Sequence, residues 1–70
     1  MLEICINIPE DEIKGATIKD DIERLCKNGW AKFGNNGSVV LFKDISLDEG
    51  RYELEYLGIN HLKAEEWKEN

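Results

Sequence analysis

Seventy residues supply one core and no more, because a chain this short buries only about 60% of the surface its unfolded form exposes. Fifteen Asp and Glu against nine Lys and Arg give a net charge of −6, and the bases are scattered along the chain, which argues against a phosphate-tracking surface or an anionic membrane and for a basic protein as partner. The longest apolar run, Val39 to Phe42, falls far short of the ~18 residues that span a bilayer.

Residues 2–8 alternate strictly, with Leu2, Ile4, Ile6 and Ile8 on one face and Glu3, Cys5 and Asn7 on the other, the period of a half-buried strand. Pro9 ends it, and Glu10, Asp11 and Glu12 follow as a loop. Residues 17–29 read as a helix with the stripe Ile18, Ile22, Leu25 and Cys26. Thr17 is the expected N-cap, accepting from the Asp20 amide, with Asp20 and Asp21 at the positive end of the dipole, Lys27 at the negative end and Gly29 closing the helix. Asp20 with Arg24 and Glu23 with Lys27 add spaced ion pairs of about 0.3 kcal/mol each, and this face is assigned no function.

Residues 30–42 form a hairpin, turning either at Asn36-Gly37 or through a longer loop that includes the flanking glycines. With Asn36-Gly37 as the turn, Phe33 meets Val40 and Ala31 meets Phe42, an apolar side that suits the core. Val39 and Leu41 then lie with Trp30 and Lys32 on the other side, either in a central strand or in an exposed patch. Residues 51–57 alternate again, Tyr52, Leu54 and Tyr56 against Arg51, Glu53, Glu55 and Leu57, and read as a further strand. Residues 59–70 read as a short helix capped by Asn60 or as an extended segment ending near Trp67, with the helix preferred. The expected fold is a single α+β domain over residues 1–70. It is a small two-layer sandwich of one helix on an antiparallel sheet of about four strands, in the order β-α-β-β-β.

The stretch from Asp44 to Tyr56 can be laid on a calcium loop, with Asp44, Ser46, Asp48 and Glu55 as ligands. The glycine that such a loop needs for its sharp turn arrives one residue late, at Gly50, and the expected strands do not supply the two flanking helices. Cys5, Cys26 and His61 lack the close pairing of a zinc site. Two cysteines in so small a chain suit reduced thiols in the cytoplasm better than a disulfide framework, and no leader segment fits an N-terminus interrupted at Glu3. The segment Gly34 to Gly37 is no phosphate loop, and a single small core rarely encloses a cleft that raises a carboxyl's pKa. No catalytic residue, metal or cofactor is expected.

Acids and aromatics together mark the candidate partner-binding set: Asp44, Asp48, Glu49, Arg51, Tyr52, Glu53, Glu55 and Tyr56, supported by Glu10 to Glu12. The reading is a non-enzymatic acidic interaction module for a basic protein. Its narrower form is a phage or mobile-element inhibitor that occupies a nucleic-acid-binding groove by charge mimicry. Two alternatives stand beside it: a calcium- or ligand-responsive module, and a structural homo-oligomer that buries Trp30, Val39 and Leu41 against a second copy.

Overall fold

The computed structural model describes residues 4–67, so the expectations for Leu2 and Glu3 and for the last three residues lie outside it. Strand β1 (Ile4–Ile8) leads through a 3-10 turn (Glu10–Glu12) into helix α1 (Ala16–Lys27), followed by β2 (Ala31–Asn35), β3 (Ser38–Lys43), helix α2 (Leu47–Tyr56) and the short β4 (Glu65–Glu66). The sheet is antiparallel throughout, in the order β2-β3-β1-β4. Each β-α-β unit therefore flanks a strand of the other, the split β-α-β arrangement. The α+β class and the four-stranded antiparallel sheet stand as expected from sequence, with two helices on the sheet rather than one.

The second helix replaces the strand expected at residues 51–57. Leu47, Gly50, Leu54 and Leu57 follow one another at helical spacings of three, four and three, which the alternation of Tyr52, Leu54 and Tyr56 obscures. The tie is broken at the start of the helix. Ser46 and Glu49 form a reciprocal capping box: the Glu49 N–H donates to Ser46 Oγ at 3.2 Å, and the Ser46 N–H donates to Glu49 Oε1 at 3.4 Å. Both helices end alike. After α1, the N–H of Gly29 donates to the Cys26 carbonyl and that of Trp30 to Leu25; after α2, Gly58 and Ile59 donate to Glu55 and Leu54. Gly29 and Gly58 hold the positive φ of 98° and 74° that this motif requires.

Helix α1 begins two residues earlier than expected, with Gly15 rather than Thr17 at the N-cap and no side-chain cap. Thr17 therefore lies inside the first turn and caps nothing, and Asp20 and Asp21 fall in the second turn, beyond the strongest part of the dipole. Cys26 is exposed rather than buried, because the stripe narrows to Ile18, Ile22 and Leu25.

The hairpin turns at Asn36-Gly37, with φ of 51° and 90°, and its register pairs Phe33 with Val40 and Ala31 with Phe42. The side facing the core is the opposite of the one expected. Strand β3 lies against β1 with Leu41 beside Ile6 and Val39 beside Ile8, so these share the isoleucine face that α1 and α2 cover. Trp30 and Leu41 are fully enclosed there, and Val39 packs against the same core. That removes Trp30, Val39 and Leu41 as an exposed oligomer face. Phe33, Phe42 and Trp67 occupy the sheet's other face in an edge-to-face row, with centroid separations of 5.4 and 5.0 Å. Residues 59–67 of the C-terminal segment are extended, not helical. Ile59, Leu62 and Ala64 are buried, and β4 pairs Glu65 with Cys5 and Glu66 with Ile4.

Candidate functional site on the outer face of helix α2

The capping box at Ser46 starts α2, and Leu54 with the bare backbone of Gly50 seats it on the core. A Cβ at Gly50 would lie 3.2 Å from Ile4 Cγ2 and 3.3 Å from Ala64 Cβ, tighter than ordinary van der Waals contact, so glycine lets the helix sit close against β1. With that inner face fixed, Asp48, Tyr52, Glu55 and Tyr56 form an outward stripe at helical spacing. The rings of Tyr52 and Tyr56 stack with centroids 6.3 Å apart and planes 25° from parallel. At 67% and 76% exposure they are solvent-facing, where the strand reading had them partly in the core.

Beside this pair a hollow of about 300 Å³ is lined by Asp48, Glu49, Tyr52 and Glu53. Asp48 and Glu55 make no ion pair with any described cation, while one oxygen of Glu49 serves the capping box. Asp44 is exposed in the bend that precedes α2. Arg51 points toward residues 59–65 and lines a cleft there of about 470 Å³ with Glu55, Lys63 and Glu65. That cleft holds no cysteine, serine or histidine that could act as a nucleophile or proton carrier. The acids at 10–12 are exposed, with Glu10 beside the hairpin turn at Gly37, at the opposite end of β3 from the start of α2.

Glu53 does not face solvent with its neighbours. Its carboxylate accepts from Lys43 Nζ at 2.8 and 2.9 Å and from the Trp30 indole N–H at 3.1 Å, and Lys43 also donates to the Asn28 carbonyl at 2.7 Å. This clasp joins α2 to β3 and to the end of α1, so Glu53 is a structural residue.

A second polar cluster joins Asp21 and Arg24 of α1 to His61, which no sequence spacing brings to them. Asp21 is 4% exposed; its Oδ1 accepts from Arg24 Nη2 at 2.7 Å, and Arg24 Nη1 donates to the Leu57 carbonyl at 2.9 Å. His61 Nε2 lies 2.9 Å from Asp21 Oδ2 without the alignment of a hydrogen bond, so that oxygen has no hydrogen-bond partner among the described residues. The cluster ties α1 to the end of α2 and to the extended segment. The surface pairs anticipated on α1 are present but long, Asp20 with Arg24 at 3.8 Å and Glu23 with Lys27 at 4.0 Å.

Cys5 is buried on the aromatic face of the sheet, where burial and then the Glu65 carboxylate push its thiol pKa up, partly offset by contact with the Asn7 amide. Cys26 lies exposed on α1, across the sheet. Among the described residues no group of three or more His, Cys, Asp or Glu is arranged to hold a metal ion. The calcium-loop pattern is pulled apart by the helix, since the seven residues from Asp48 to Glu55 advance about 10 Å along its axis. Among the described residues no helix is long and apolar enough to cross a membrane. Comparison with protein-family models, with curated proteins and with solved structures returns no match.

Proposed function

We propose that this chain is a non-enzymatic interaction module that takes a basic protein segment on the outer face of α2. The observation that carries the reading is the hollow lined by Asp48, Glu49, Tyr52 and Glu53 beside the stacked, exposed rings of Tyr52 and Tyr56. A guanidinium fits this chemistry better than an ammonium. Its plane lies on a tyrosine ring while its fork reaches the carboxylates of Asp48 or Glu55. Exposed cation–π contacts contribute about 0.5–1 kcal/mol and exposed ion pairs about 0.2–1 kcal/mol, so a few of them give a weak, salt-sensitive complex.

The narrower role of nucleic-acid mimic is less well supported by charge density. Glu53 is neutralised by Lys43 and Arg51 offsets one acid, so Asp48, Glu49 and Glu55 leave a net −2 over about 10 Å, where duplex DNA carries about six charges. A short arginine-bearing segment suits the helix better than a whole DNA-binding groove. Both cysteines being free accords with a reducing cytoplasmic setting.

Calorimetry with an oligo-arginine peptide and an oligo-lysine peptide of equal length tests the reading. Arginine binds more tightly, both interactions weaken with added salt, and Tyr52→Ala with Tyr56→Ala removes the arginine preference. Equal affinity for the two peptides, unchanged by the tyrosine variants, refutes it.

A further inference from the structure

Strand β2 is the longer of the sheet's two edge strands, bonded to β3 alone, and its free side is complementary to itself. The two-residue turn makes Asn35 and Ser38 a hydrogen-bonded pair, and alternation then bonds Phe33 to Val40 and Ala31 to Phe42. Lys32 and Gly34, opposite Leu41 and Val39, must turn their N–H and C=O groups outward. No described group is hydrogen-bonded to them. The usual guards of an edge are sparse. The strand has no proline and no bulge in its register, and Lys32 is its only charge. Around Gly34 there is open space, since a Cβ there would meet nothing within 4 Å.

We propose that β2 pairs antiparallel with β2 of a second copy of this chain about a twofold axis at Phe33, joining two four-stranded sheets into one of eight strands. In this register Lys32 exchanges both backbone hydrogen bonds with Gly34 of the second copy, and Gly34 does the same with its Lys32, so every outward group is used. Phe33 faces its own counterpart in the close, non-hydrogen-bonded pair, with Cα atoms about 4.5 Å apart. The row Trp67, Phe42, Phe33 then continues into its mate across the axis, where the Phe33 ring, 51% exposed, meets its counterpart.

The neighbouring symmetric registers fail on particulars. An axis at Lys32 sets two ammonium chains opposite each other and pairs Gly34 with Trp30, whose N–H is already committed to the Leu25 carbonyl. An axis at Gly34 pairs Lys32 with Asn36 of the turn. The register at Phe33 instead sets the edge's one charge against glycine. An edge contact buries less than the ~800 Å² per partner of a standard interface, so dissociation falls between roughly 10 μM and 1 mM. Because each chain carries −6, added salt strengthens the pairing, the reverse of its effect on binding a basic peptide.

Sedimentation equilibrium over a concentration series, in low and high salt, should show a monomer–dimer equilibrium that tightens with salt. Gly34→Pro removes an outward N–H without touching the bonds to β3, and Phe33→Lys places like charges face to face on an exposed position; each should leave only monomer. Register is read by cross-linking in a Cys26→Ser background: Phe33→Cys forms an intermolecular disulfide under mild oxidant and Lys32→Cys does not. A monomer at every concentration overturns the proposal and leaves the edge to solvent or to another protein's strand. A dimer indifferent to both edge variants, or one in which Lys32→Cys cross-links as readily as Phe33→Cys, assigns the contact to a different surface and equally overturns it.

Discussion

Replacing Glu53 with alanine separates its two assignments, a solvent-facing acid of a binding surface or the centre of an internal clasp. The substitution strands the indole N–H of Trp30, a residue only 3% exposed, at a cost of about 1–3 kcal/mol. It also breaks the ion pair to Lys43, whose side chain is 22% exposed against 24% for Glu53, a loss of up to about 1 kcal/mol at that degree of solvent screening. Alanine's better helix propensity returns a few tenths. The net is about 2 kcal/mol, which in a domain of this size lowers Tm by roughly 8–16 °C. Glu55→Ala, on the exposed stripe, should stay within about 0.5 kcal/mol of the parent. Urea denaturation followed by tryptophan fluorescence gives both values. Equal stability of the two variants would show that Glu53 stands in solvent and that the clasp does not form.

Four further outcomes follow from the packing. Gly50→Val should destabilise by about 2 kcal/mol or more in thermal melts, because the added carbons meet Ile4 and Ala64 where even a Cβ is tight. Asp21→Ala should cost about 2 kcal/mol by denaturant titration, since it removes the partner that Arg24 and His61 share. A thiol reagent should modify Cys26 rapidly in the native protein and Cys5 only on unfolding. The raised Cys5 pKa means that the folded state holds that proton more tightly than the unfolded chain, whose ordinary value is 9.0. Its contribution is therefore complete below that pH and lost above it, and stability measured across this range should fall more steeply for wild type than for Cys5→Val.

The sequence made local patterns legible and left long-range ones open. The alternation of Ile4, Ile6 and Ile8, the stripe of α1 and the Asn36-Gly37 turn are encoded within a few residues, and each appears in the structure. Which face of the hairpin enters the core depends on how β3 registers with β1, a pairing across more than thirty residues that no local period reports. Residues 47–57 carried both periods at once. The deciding signal was available in Ser46 and Glu49, a serine followed three residues later by glutamate, outweighed by the alternating tyrosines. Of the candidate residues, the tyrosine pair keeps its neighbour through the change of element, because residues four apart share a helix face as well as a strand face. Tyr52 and Tyr56 stay together either way. Glu53 could not be recognised as internal, since its partners Trp30 and Lys43 are brought to it only by the fold.

The claim that α2 carries a binding surface for basic segments is tested most directly by titrating the ¹⁵N-labelled chain with an oligo-arginine peptide and recording amide shift changes. The account predicts saturable changes concentrated at Asp48, Tyr52, Glu55 and Tyr56, with the core strands β1 and β3 unmoved. Changes distributed over the acidic surface in proportion to charge, reaching Glu10 to Glu12 and Glu23 as strongly as α2, would contradict it.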